Sequence, residues 1–138
     1  MSYKFLDHAT DAIIEVTAKN LKEAFAVTAD AVINLTLDQD KVEEKDQKVF
    51  SANGKDLRYL LFSWLEEIPF ILITEGFAIS RLEFDIIQNG EYKINAIAYG
   101  ELLDVKKHNF KVEIKAPTFY DMEIRQENGV YMRFLLDL

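Results

Sequence analysis

The spacing of apolar and polar positions changes period twice along the chain. Residues 3–6 and 12–18 alternate at a period of two. Ile14 and Val16 fall on one face and Ile13, Glu15 and Thr17 on the other, as in half-buried strands. The period then lengthens: Leu21, Phe25, Thr28, Val32 and Leu35 recur at helical spacing. Asn20 is a good N-cap for this helix, and Glu23 three places on completes a capping box. Residues 36–46, TLDQDKVEEKD, are polar and read as a loop leading to a strand at 47–52. A second helix is predicted from Lys55, with Leu57, Leu60, Leu61, Trp64, Leu65 and Ile68 as its apolar stripe. Pro69 predicts a kink or stop, because proline lacks a backbone donor and crowds the preceding turn.

From Phe77 the period returns to two. Leu82, Phe84 and Ile86 alternate with Arg81, Glu83 and Asp85; Asn89-Gly90 signals a hairpin, and Ile94, Ala96 and Ala98 answer on the return strand. Val112, Ile114 and Ala116 predict a further strand. Asn128-Gly129 turns a last hairpin, whose closing strand sets Val130, Met132, Phe134, Leu136 and Leu138 against Tyr131, Arg133, Leu135 and Asp137. Helices early and hairpins late predict an α+β fold. Two helices would pack on one face of a largely antiparallel β-sheet as a two-layer sandwich, with residues 1–138 as a single domain.

Composition narrows the function classes. The 138 residues, 49% of them hydrophobic, suffice for a sizeable core. There are no cysteines, which excludes disulfides, thiolate metal sites and a Cys nucleophile and fits a reducing compartment. The longest apolar run, IPFILI at 68–73, is too short to span a bilayer, and MSYKFLDH lacks the pattern of a signal peptide. A soluble, cytoplasmic protein with no membrane partner is expected. The net charge is −8, from 24 acidic and 16 basic residues without a Lys/Arg stripe. Direct tight nucleic-acid binding is therefore not expected; a basic protein partner or a hard cation suits this charge better.

No phosphate-cradling glycine loop, zinc-protease helix or nucleophile elbow is present, and two histidines, His8 and His108, leave little for zinc. Carboxylates remain. KFLDHATDAIIEV sets Asp7, His8, Thr10 and Asp11 in one turn between strands. Asp is a default turn residue, but the same oxygens, completed by another segment, would suit Ca²⁺, Mg²⁺ or Mn²⁺. Asp137 stands beside the terminal carboxylate of Leu138, either solvated at a frayed end or held there by a docked strand. Bringing Asp11 within about 4 Å of either anion would cost roughly 4 kcal/mol per pair at an effective dielectric of about 20, so the cluster would need a cation, a proton or a basic neighbour. DVKKHNF at 104–110 reads as an exposed basic loop, with phosphate or partner contact through Lys107 and His108 as the functional alternative. In KAPTFYD, Lys115 reads similarly, and Thr118 and Tyr120 suit a turn.

Several separated stretches share one pattern. LDHATDAIIEV looks like an Asp/Glu-His-Thr-Ala-Asp signature, with Thr-Ala inverted to Ala9-Thr10. LKEAF, LLFSWLEE, AYGELLDVKKH, KAPTFYDM and the closing FLLDL follow in order. On these matches the chain resembles the archease family, small proteins that assist the RtcB-type RNA ligase. Pro69 in the second helix and Phe119 in place of Tyr depart from the family pattern. The resemblance implies a divalent-cation site of Asp11, Asp137 and the carboxylate of Leu138, with Asp7 and His8 shaping the turn. It also implies a non-enzymatic activator that promotes ligase guanylylation and multiple turnover. The joined RNA ends would bear a 2′,3′-cyclic phosphate or 3′-phosphate and a 5′-hydroxyl, in tRNA splicing and RNA repair. Two other classes stay open on the residues: a metal-dependent hydrolase using Asp11 and Asp137 with His8 as acid/base, and a chaperone-like binding module.

Overall fold

The computed structural model describes residues 1–6 and 10–138. The chain runs β1 (Ser2–Leu6), β2 (Asp11–Ala18), α1 (Leu21–Thr36), β3 (Asp46–Gly54), α2 (Leu57–Pro69), β4 (Phe77–Asn89), β5 (Glu91–Leu102), β6 (Ala116–Gln126) and β7 (Val130–Asp137). The fold is α+β, as the period pattern predicts. The strands form two sheets, one ordered β1-β2-β7-β6 and one ordered β3-β5-β4, with every pairing among the described residues antiparallel. The helices join them: α1 packs on β2, β7 and β4, and α2 on β3, β5 and β6.

The alternation read from the sequence sets the buried faces. Ile14 and Val16 of β2, Met132, Phe134 and Leu136 of β7, and Ile94, Ala96 and Ala98 of β5 are all buried in one contiguous core. Trp64 is its centre. The indole lies 5.6 Å from the Phe50 ring, 5.1 Å from Phe84 and 6.2 Å from Phe25, and its Nε1–H donates to the Phe25 carbonyl at 3.0 Å. One side chain thus ties α2 to α1 and to both edge strands of the smaller sheet, with its one polar atom satisfied.

The caps form locally. Asn20 Oδ1 accepts the Glu23 N–H at 2.9 Å, while Glu23 reaches the N–H of Lys19, one residue before the cap, at 3.0 Å. Asp56 caps α2 through the Tyr59 N–H at 3.0 Å. Pro69 ends the α-helical hydrogen bonding, and the chain widens into a π-helical turn over Phe70–Thr74. The two Asn-Gly hairpins form where expected, with φ of 79° at Gly90 and, in the last one, 51° at Asn128 and 111° at Gly129.

The strand expected at Val112, Ile114 and Ala116 does not form; β6 begins only at Ala116. Two of the backbone donors before it are taken elsewhere. The Lys111 N–H bonds the Thr36 carbonyl at 2.7 Å and the Lys115 N–H bonds the Asp137 carbonyl at 2.8 Å, so residues 111–115 act as a strap with Ile114 pinned in the core. Thr118 and Tyr120, read as turn residues, lie within β6 at a bulge. There the register shifts between Thr118 and Glu123, and Asp121 takes a φ of 57°.

Candidate functional site

Two strands from opposite ends of the sequence meet at one rung. Asp11, the first residue of β2, lies directly opposite Asp137, the last residue of β7. The next rung, Ala12 with Leu136, is buried, so period-two alternation sends both aspartates to the outward face of the four-stranded sheet. Asp137 is exposed there. Leu138 follows at once and packs, partly buried, against the core. A third segment arrives through the Lys115 N–H, and Ala116 pairs with Asp137 as β6 starts.

Like charges on opposed positions of neighbouring strands repel, and the buried rung beneath holds them in place. Among the described residues no group of three or more His, Cys, Asp or Glu side chains could hold a metal ion. What these residues offer is the aspartate pair, with Leu138 next in sequence. That all-oxygen, anionic set fits a hard divalent cation rather than zinc. Asp7 and His8 lie outside the described residues; Thr10 is exposed immediately before β2.

The loop at 104–110 is exposed at Asp104, Val105, Lys106 and Lys107, as expected, but His108 is buried within it. The His108 side chain is fully buried and that of Glu101 is 9% exposed; their Nε2 and Oε2 atoms are 2.9 Å apart. His108 Nδ1 accepts the Asp104 N–H at 3.0 Å, which leaves Nε2–H to donate to Glu101. Glu101 also accepts the Glu43 N–H at 2.9 Å, and Lys107 Nζ reaches both Glu101 at 2.9 Å and Glu43 at 3.2 Å. The Glu43 N–H first, then His108 and Lys107, hold the Glu101 carboxyl well below the usual carboxylate range. Burial closes His108 to phosphate or partner contact from solvent, and Lys107 is held by two carboxylates.

Glu101 carried no candidate role in the sequence because its strand phase marks it as solvent-facing. It is buried by the 43–45 and 104–108 loops that close over it. From this node the chain is fixed at two further points: the His108 carbonyl accepts the Asp38 N–H at 2.8 Å, and Lys111 joins Thr36. The strap therefore leads from the Glu101 network past the end of α1 to Asp137.

Fold and site together define a class: a small α+β protein whose β2 and β7 lay two aspartates side by side on one rung. The model of the archease protein family (MTH1598/TM1083) matches residues 3–138. The chain belongs to the archease family. It is 38% identical to the protein archease of Pyrobaculum islandicum, over 100% of this chain and 96% of that protein. With the protein archease of Methanopyrus kandleri the identity is 32% over 100% of both. The solution structure of Methanobacterium thermoautotrophicum protein 1598 superposes with a TM-score of 0.79 at 28% identity, over 99% of each chain. No helix among the described residues is long and apolar enough to cross a membrane.

Proposed function

We propose that this chain is a non-enzymatic, cytoplasmic activator of an RtcB-type RNA ligase. In this reading it promotes ligase guanylylation and multiple turnover as 2′,3′-cyclic phosphate or 3′-phosphate ends are joined to 5′-hydroxyl ends, in tRNA splicing and RNA repair. Membership in the archease family supports a role as a protein activator in RNA ligation and tRNA processing in general. Asp11, Asp137 and the Leu138 carboxylate would hold a divalent cation, Ca²⁺, Mg²⁺ or Mn²⁺, with Asp7 and His8 as neighbours in the turn. Bound there, the cation supplies a compact positive charge that offsets the carboxylates and can be offered at the ligase's nucleotide site. The opposed Asp11–Asp137 rung is the observation that carries the reading. The net charge of −8 supports a division of labour in which the ligase holds the RNA and this chain touches the ligase.

The test is multiple-turnover ligation with limiting ligase and GTP, comparing no addition, this protein, and its Asp11→Asn and Asp137→Asn forms after a folding check. Stimulation by the wild type that is lost in both variants is expected. Stimulation that survives both changes removes the cation site from the mechanism, and none by the folded wild type overturns the activator reading.

A further inference from the structure

A cleft of about 390 Å³ opens between the C-terminal end of α2 and the strap at 113–117. Pro69, Phe70 and Ile73 line one side and Ile114 and Pro117 the other. Phe70, the first residue of the π-helical turn, is 49% exposed. Two exposed acids, Glu66 and Glu113, stand in the lining against one cation, Lys115.

The isolated protein gains little from this arrangement. Glu66 and Glu67 occupy the last turn of α2, where the helix dipole favours cations, and that turn carries no basic residue. Burial, then the charges of Glu66 and Glu75, push the Glu67 carboxyl up, as expected for a crowded anionic surface. A π-helical turn is rare and frequently marks functional sites, and here it presents an aromatic ring to solvent. An apolar slot with an anionic rim at a helix C-terminus is complementary to a cationic segment with an apolar anchor.

We propose that this cleft docks a segment of a partner protein carrying a bulky apolar side chain flanked by lysine or arginine. The apolar side chain enters between Phe70 and Pro117, and the flanking cations meet Glu66 and Glu113. The strap that forms the far side is bonded through the Lys115 N–H to the Asp137 carbonyl, so a partner seated here bears on the segment that supports the Asp137 backbone. The inference rests on the activator reading above, with the ligase as the partner.

The experiment titrates the full chain, Phe70→Ser and the double variant Glu66→Lys/Glu113→Lys into an RtcB-type ligase and reads ligation rate against added protein. All three substituted residues are exposed, and thermal melts check folding. Both variants should raise the half-saturating concentration at least about tenfold with an unchanged plateau. Added salt should weaken the wild type more than the charge-reversed form. Asp137→Asn should instead lower the plateau and leave half-saturation in place. Wild-type half-saturation in both variants, beside a stimulating wild type, overturns the docking site and leaves the activator reading standing. A folded wild type that neither binds nor stimulates the ligase overturns both.

Discussion

Asp137→Asn should make the cation-free protein more stable and the cation-loaded protein less responsive. Asp11 and Asp137 are directly opposed across β2 and β7, a position that sets Cβ atoms about 5 Å apart, and the repulsion is worked at that separation. Asp137 is exposed, so an effective dielectric between about 40 and 80 applies, and the repulsion is roughly 1–2 kcal/mol before salt screening reduces it towards 1. Asparagine keeps the shape and removes the charge. For 138 residues at about 2.1 cal/mol/K per residue, ~1 kcal/mol moves the melting temperature by roughly 3.5 °C. In chelator the variant should therefore melt about 3 °C above the wild type. A cation at about 100 times its Kd stabilises the wild type by roughly 2.7 kcal/mol, or about 9 °C. The variant, one ligand short, should gain much less, so the two stabilities cross as cation is added. Melts followed by circular dichroism in chelator and in series of Ca²⁺, Mg²⁺ and Mn²⁺ read this directly. A variant less stable than the wild type in chelator would refute the repulsion, and one that gains as much from the cation would refute the ligand role.

Glu101 governs the acid limb of the stability curve. Its carboxyl is held below the ordinary 4.5, so the unfolded chain takes up a proton that the native state refuses. The resulting stabilisation is complete above about pH 5 and is lost as pH falls through 4.5 towards the folded-state value. Glu101→Gln should flatten urea midpoints between about pH 3 and 5 relative to the wild type; parallel acid limbs would remove Glu101 from that role. Trp64→Ala should cost about 3–5 kcal/mol in urea unfolding, because it opens a cavity between both helices and two strands and leaves the Phe25 carbonyl without its donor. A loss below about 1 kcal/mol would show that the core does not depend on the indole.

The parts legible in the sequence are those fixed by local chemistry. Ile14 and Val16, or Met132 and Phe134, announce their face through a period that needs no partner. Asn20 and the two Asn-Gly turns act through their own backbone, and Pro69 ends α2 by lacking a donor. Long-range pairing left no such trace. Nothing in β3 shows that it pairs with β5, which divides the strands into two sheets. Ile114 alternates like a strand residue, yet its segment is a strap because its neighbours' donors find Thr36 and Asp137. The same limit hid Glu101 and His108, whose burial depends on loops from distant positions closing over them. The aspartate pair was half legible: composition and the resemblance made Asp11 and Asp137 suspect, and only the register of β2 on β7 sets them opposite each other.

That register explains how two repelling carboxylates can be kept side by side. The inward residues of the strands that carry them, Ile14, Val16, Met132, Phe134 and Leu136, are buried and fix β2 on β7. The repulsion, roughly 1–2 kcal/mol, is small beside a core in which deleting any one large side chain costs more. On the third side Asp137 is gripped through its carbonyl by a strap whose other anchors are Thr36 and the Glu101–His108 network. Loosening that network should free the strap while the core stays intact, and the backbone beside Asp137 would lose its third support. Lys107 and His108 belong to the network from which the chain leads through Thr36 to the strap at Asp137.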